Sequence, residues 1–203
     1  MKFVASIPAT SANLGPGFDS IGLALNLWNR FELHPQPRST PVSVETHGES
    51  RASLPSDQTN LIAQIILEEM RRLSPAHLSL AHQLSLPLPS FRLVCHNHVP
   101  AGSGLGSSYT AVLSGLMLAH AYMQWLQDEP VILDREKILS QAVTHEGHGD
   151  NVAPAMLGGL VIVATDKAGL IAQKVLLPPL QVVVCVPDFY FLTSQARTDV
   201  VRM

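Results

Sequence analysis

The stretch Val99-Pro100-Ala101-Gly102-Ser103-Gly104-Leu105-Gly106-Ser107-Ser108 places three glycines within five residues and follows them with two hydroxyls. An apolar run over 91–95 precedes it and reads as a strand. The run over 108–126 that follows is apolar nearly all round, as a helix buried on most sides would be. The order is therefore strand, glycine-rich loop, core helix. One glycine is enough to turn a chain. Several let the backbone take left-handed conformations and let a ligand come close to it. The following helix adds free N–H groups and the positive end of its dipole. Together these features describe a phosphate site.

Spacing separates this loop from two others that bind phosphate. A Walker A loop closes on Gly-Lys-Ser/Thr, whereas Gly106 is followed by Ser107 and the loop holds no lysine. A dinucleotide-binding fingerprint requires a further glycine at position 107, where this chain has serine. The stretch resembles the ATP loop of the GHMP kinases (galactokinase, homoserine kinase, mevalonate kinase, phosphomevalonate kinase), Pro-x-x-x-Gly-Leu-Gly-Ser-Ser. It departs at Tyr109, where that family usually has alanine or glycine, so a large ring enters the first helical turn.

The 203 residues are enough for one large domain or two small ones, and 46% apolar content supports a sizeable core. A net charge of −3 gives no basic excess to attract nucleic acid or an anionic membrane. No apolar run reaches transmembrane length, and Met1-Lys2 leads directly into a strand-like run without a signal-peptide pattern. The expectation is a soluble cytoplasmic protein that binds neither nucleic acid nor membrane. Cys95 and Cys185 both sit in apolar strand-like runs and are expected to be buried free thiols.

Strands are expected over 2–7 (ended by Pro8), 21–33, 42–46, 158–164, 171–177 and 181–186. Asp57-Gln58-Thr59 is the expected cap of a helix starting near Asn60. Leu61, Ile62, Ile65, Ile66, Met70 and Leu73 share one face of that helix, and Glu68 and Arg72 have the spacing of an i, i+4 pair. A proline-bearing connection covers 74–90. Asp134 caps a further helix over 135–146, which Gly147 and Gly149 end. Residues 193–201 have helical propensity.

Three more stretches carry candidate chemistry. Asn13 and Asp19 flank a glycine-bearing turn and are, on spacing alone, equally well read as turn residues. Glu146 closes a helix, where the dipole disfavours a carboxylate and an adjacent cation would relieve it; a solvated terminal glutamate is the commoner case. His145 and His148 lack the His-Glu-x-x-His spacing of a zinc pair, and no cysteine lies near them in sequence. Arg197 on its own is a helix-surface arginine. Beside these readings stands a resemblance to homoserine kinases within the same family. The run from Pro8 to Asp19 is similar to their Pro-x-x-Ser-Ala-Asn-Leu-Gly-x-Gly-Phe-Asp. The run from Glu146 to Val152 is similar to Glu-Gly-His-Pro-Asp-Asn-Val, with Gly149 in place of proline. Pro187-Asp188 and Thr193 to Arg197 are similar to Pro-x-Phe/Tyr … Thr-x-x-Ala-Arg. The Gly-Glu-His motif of galactokinases and mevalonate kinases is absent from the opening stretch.

The resemblance implies an α+β fold. Residues 1–165 would form a nucleotide-binding domain like the second domain of ribosomal protein S5, and 166–203 the start of a ferredoxin-like domain. It implies ATP and Mg²⁺ as cofactors and L-homoserine as the small-molecule substrate. Pro100, Ala101, Gly102, Ser103, Gly104, Leu105, Gly106, Ser107 and Ser108 would hold the nucleotide, with Asn60 at the adenine. Ser107 and Glu146 would hold the metal. Asn13, Asp19, His148 and Arg197 would bind homoserine, and Asn151 would lie at the reacting hydroxyl. Homoserine kinases are longer chains, so the expectation includes a weak enzyme whose open strand edges favour a homodimer. The alternative is an inactive remnant or nucleotide-binding module of the same family.

Overall fold

A computed structural model describes residues 1–73, 89–166 and 169–186. The elements run β1 (Phe3–Ala12), β2 (Ile21–Gln36), β3 (Ser43–Gly48), α1 (Leu61–Leu73), β4 (Ser90–Asn97), α2 (Ser107–Leu126), α3 (Arg135–Glu146), α4 (Val152–Leu157), β5 (Leu160–Asp166) and β6 (Gly169–Val175). The helix expected over 193–201, with Arg197, lies outside the described residues, as does most of the 74–90 connection.

The strands form one mixed six-stranded sheet. The long strand β2 is its spine. Ser6 of β1 and His96 of β4 both pair with Arg30, so β1 and β4 take opposite edges of β2. β5 pairs with the start of β2 at Ile21–Leu23, beyond the end of β4. β3 lies parallel to β4, and the other pairings are antiparallel. Alternation along the strands sends Phe3, Ala5, Ile7, Val44, Phe31, Leu33, Phe91 and Leu93 into one core with the helices. α2 packs on α1, on α3 and on β1, which is why it is apolar on almost every side. The α+β fold is thus the expected one.

Several local expectations are corrected. Pro8 does not end β1: the strand continues to Ala12, with a register shift between Pro8 and Thr10. β1 is an edge strand, and a bulge on an edge tolerates a residue without an N–H. The cap of α1 is Asn60, whose Oδ1 accepts from Ile62 N–H at 3.0 Å, while Asp57 accepts from the N–H and hydroxyl of Thr59 in its own turn. Residues 181–186 form no strand, and Cys185 is exposed rather than buried. Among the described residues no strand lies beyond β6 for this run to pair with. Cys95 is buried as expected, and burial pushes its thiol up to about 12, so it is inert at neutral pH. β5 and β6 pair antiparallel from Leu160↔Val175 to Asp166↔Gly169, so the domain boundary expected at 165/166 lies at the end of the first of two paired strands.

Arg72 pairs with Glu69, at i, i+3, rather than with Glu68. The reason is a buried polar knot. Glu69 is only 4% exposed, and its carboxylate also accepts from His120 Nε2 of α2 at 2.8 Å and from Gln141 Nε2 of α3 at 3.0 Å. One carboxylate therefore joins three helices. Burial raises its pKa, but the hydrogen bonds from Arg72, His120 and Gln141 outweigh burial and hold it at about 2. A carboxyl depressed on folding contributes stability above its unfolded pKa and loses it as the pH falls toward the folded value. We therefore expect the wild-type chain to lose stability between about pH 5 and about pH 2 more steeply than Glu69→Gln, whose baseline stability at pH 7 is lower by about 3 kcal/mol. Urea denaturation at stepped pH reads both quantities. Parallel pH curves for the two proteins would contradict the assignment.

Candidate active site

The glycine-rich loop is held by two buried polar side chains of the sheet. Asn29, 1% exposed on β2, accepts from the N–H groups of His98 at 2.8 Å and Val99 at 3.0 Å. Its Nδ2 donates to Thr110 Oγ1 at 3.0 Å, and Thr110 donates in turn to the Ser107 carbonyl at 2.8 Å. One amide thus fixes both the exit from β4 and the first turn of α2. Thr10, also 1% exposed, donates its N–H to the Leu105 carbonyl at 3.1 Å and its hydroxyl to Asn151 Oδ1 at 2.7 Å. Beneath the loop, Ala9, Leu25, Val99 and Leu105 form a small apolar cluster.

Between these supports the chain takes left-handed conformations at Gly102 (φ 72°), Gly104 (φ 73°) and Gly106 (φ 73°). A Cβ on Gly104 would meet nothing within 4 Å, whereas one on Gly106 would lie 2.4 Å from Thr10 Oγ1. The loop is therefore open on the Gly104 side and closed on the Gly106 side. Gly106 is the N-cap of α2, and among the described residues no side chain caps that end. Ser107 and Ser108 face a cavity of about 240 Å³, whose lining also includes Ala101, Gly102, Asn60 and Asn97. Asn60 is 3% exposed, with Oδ1 on its own helix and Nδ2 on the Pro55 carbonyl at 3.0 Å. A larger groove of about 760 Å³, lined by Leu23, Leu25, Leu27 and residues from Lys174 to Val186, contains, among the described residues of the expected site, Pro100 and Leu105.

A second loop meets the same end of α2. Asp134 caps α3 by accepting from Lys137 N–H at 3.0 Å, and Gly147 ends the helix with φ 82°. This places Glu146 beside α2, where Ser108 Oγ donates to its Oε1 at 3.0 Å. It is Ser108, not Ser107, whose hydroxyl touches Glu146. Burial raises the Glu146 pKa, and the Ser108 hydroxyl, His148 and His145 only partly offset it. His148 Nδ1 lies 2.6 Å from Asp150 Oδ1, which also accepts from Asn151 N–H at 3.1 Å. Asp150 is wholly buried, and its Oδ2 has no hydrogen-bond partner among the described residues. The start of β2 presses on this loop: a Cβ on Gly22 would sit 1.6 Å from the Asp150 carbonyl oxygen.

The opening turn completes the arrangement. Asn13 Oδ1 accepts from Asp19 N–H at 2.8 Å, and both residues have positive φ (60° and 54°). Asp19, His148 and Asp150 each bring one ligating atom within 4.8 Å of the others. The fold therefore joins Asn13 and Asp19 to His148, and Asn151 to the glycine loop through Thr10. Asn60 stands across the small cavity, and Arg197 lies outside the described residues. Tyr109 is accommodated: it is 7% exposed, within the main core. Nothing in the sequence alone marks Thr10, Asn29 or Asp150 for these roles. Thr10 and Asp150 lie inside the motif stretches, and Asn29 shares its strand with Asn26 and Gln36, so nothing local distinguishes it.

A sequence model described as the GHMP kinases N terminal domain matches residues 60–159. Homoserine kinases of Carboxydothermus hydrogenoformans and Desulfitobacterium hafniense are 37% and 36% identical over 191 and 192 residues, which is 94% of this chain in each case. The chain spans only 57% and 58% of their lengths. A Listeria monocytogenes structure provisionally described as a homoserine kinase superposes with a TM-score of 0.64 at 29% identity, covering 100% of this chain and 65% of that one. The homoserine kinase of Cytophaga hutchinsonii gives a TM-score of 0.66 at 24% identity over 97% of this chain and 59% of its own, a likeness of fold.

The two glycines should respond differently to a methyl group. Gly104→Ala meets open space and carries only the left-handed penalty of about 1 kcal/mol. Gly106→Ala adds the collision with Thr10, about 2 kcal/mol more. Urea denaturation of both variants checks this order, and equal losses would contradict the loop geometry.

Proposed function

The chain belongs to the GHMP kinase family, and from that premise we propose that it transfers the γ-phosphoryl group of ATP to the side-chain hydroxyl of L-homoserine, giving ADP and O-phospho-L-homoserine. The observation that carries this reading is the convergence of two loops on the uncapped start of α2. The glycine-rich loop lies on one side, and the loop of Glu146, His148, Asp150 and Asn151 on the other.

The backbone of 102–106 and the helix N-terminus supply N–H groups and positive potential for phosphates. The left-handed, open Gly104 leaves room for close approach. Asn60 and the small cavity beside Ser107 and Ser108 suit the adenosine portion. Ser107 and Glu146 are the candidate metal ligands, with the Ser108 hydroxyl orienting the carboxylate. Their donor set fits Mg²⁺: a hydroxyl and a carboxylate are hard oxygen ligands, and a carboxylate whose pKa burial raises is stabilised as an anion by a cation. When bound, Mg²⁺ supplies positive charge to the phosphate oxygens.

On the acceptor side, Asp19 suits the ammonium of homoserine, and Asp150 Oδ2, without a partner among the described residues, adds negative potential behind it. Asn13 holds Asp19 through its backbone, His148 lines the same place, and Arg197 suits the carboxylate. Asn151 suits the reacting hydroxyl. Its Oδ1 is taken by Thr10, which leaves its NH₂ as the donor. An amide does not accept the hydroxyl proton, so Asn151 positions rather than deprotonates. Phosphoryl transfer suits such a site, since its loose transition state asks mainly for alignment and charge stabilisation.

We expect a coupled assay with MgATP to register ADP release that rises on addition of L-homoserine. Glu146→Gln should weaken MgATP binding on the order of ten-fold, with a smaller effect on metal-free ATP. MgATP binding without homoserine-dependent ADP release would contradict the kinase reading and leave a nucleotide-binding module. Equal effects of Glu146→Gln with and without metal would remove Glu146 as a metal ligand.

A further inference from the structure

Tyr109 has no part in the scheme above, yet it touches both loops of the site. It occupies the first turn of α2 and is 7% exposed. Its ring meets the His148 imidazole edge-on, with centroids 5.6 Å apart and 64° between the planes. Its hydroxyl oxygen lies 3.3 Å from His148 Nε2. On its other side the imidazole has Nδ1 at 2.6 Å from Asp150 Oδ1. A carboxylate only accepts, so Nδ1 carries a proton and donates it to Asp150. Nε2 then shares one hydrogen bond with the Tyr109 hydroxyl, which donates to a neutral ring and accepts from a protonated one. Both ring nitrogens are engaged, and the imidazole is held between a phenol and a wholly buried carboxylate. Tyr109 also adjoins the phosphate-side loop: a Cβ on Gly106 would lie 3.4 Å from Tyr109 Cδ2.

We propose that Tyr109 is the positioning residue that fixes the His148 imidazole, and so sets the affinity of the site for its amino-alcohol acceptor. The acceptor clause rests on the kinase reading above; the contact with His148 does not. A ring held at both nitrogens presents one orientation to a substrate. A ring held only by Asp150 can tilt about that single hydrogen bond, and part of the binding energy then goes into fixing it again.

Two substitutions separate the parts. Tyr109→Phe keeps the ring and removes the hydroxyl; Tyr109→Ala removes both. The first readout needs no catalysis. In protein carrying ¹⁵N-labelled histidine, Tyr109→Phe should move the His148 Nε2 resonance while Nδ1 keeps the signature of a donor to Asp150. An unmoved Nε2 resonance would overturn the proposal. The second readout is kinetic. The homoserine KM of Tyr109→Phe should rise about ten-fold, the worth of one hydrogen bond. The MgATP KM should stay within about two-fold and kcat within about three-fold, the pattern of lost ground-state binding. A fall in kcat at unchanged homoserine KM would also overturn it. Should Tyr109→Ala fail to fold, Tyr109→Phe carries the test by itself. If the wild-type chain releases no ADP with homoserine, the kinase reading and the acceptor clause fail together, and the ring-nitrogen signals then decide the Tyr109–His148 contact.

Discussion

The amide of Asn29 is the point on which the nucleotide side of this fold turns. It is buried on the central strand, and three hydrogen bonds anchor it: two to the backbone leaving β4 and one to Thr110 on α2. A glycine-rich loop has little intrinsic preference for one shape, so its shape must be imposed from outside. Asn29 imposes it at both ends, and Thr10 closes the middle through the Leu105 carbonyl. In a low-dielectric interior a hydrogen-bonded polar network of this kind favours one arrangement, and loss of a member is destabilising. The left-handed glycines are the consequence: with both ends fixed, the backbone between must turn through conformations that a side chain disfavours.

The same economy joins the two halves of the site. Thr10 holds the glycine loop with its N–H and Asn151 with its hydroxyl, so one residue sets the distance between them. Glu146 is placed against its own electrostatic preference twice over. It ends a helix, where the dipole disfavours an anion, and it is partly buried, which raises its pKa. Nothing in packing alone rewards that placement, since glutamine would accept from Ser108 as well. A group held where its charge is unfavourable points to a ligand of opposite charge. Asp150, wholly buried with one oxygen lacking a partner among the described residues, carries the same implication on the acceptor side.

Much of this was legible in the residues. The strand, glycine loop and core helix follow from apolar pattern, and the Asp134 cap and the Gly147 stop follow from local chemistry. The misreadings share one cause. Pro8 sits inside a strand because β1 is an edge with a bulge, and register belongs to the pair rather than to the strand. Glu69 displaces Glu68 as the partner of Arg72 because His120 and Gln141, distant in sequence, converge on it. Residues 181–186 have strand composition but no strand partner among the described residues. Asn29 and Thr10 work through partners about 70 to 140 positions away, which no local pattern displays. Motif resemblance marks the candidate stretches, but it does not show that Ser108 rather than Ser107 meets Glu146.

The central claim is that the loop at the start of α2 is a nucleotide phosphate site. The most direct measurement is a titration of ¹⁵N-labelled protein with MgADP, following backbone amides. The account predicts that the amides of Gly102, Gly104 and Gly106 and of the first turn of α2 move most, with smaller changes around Asn60. Saturable binding that leaves those glycine amides in place, with the largest changes at Leu23, Leu25 and Leu27 in the apolar groove, would contradict it.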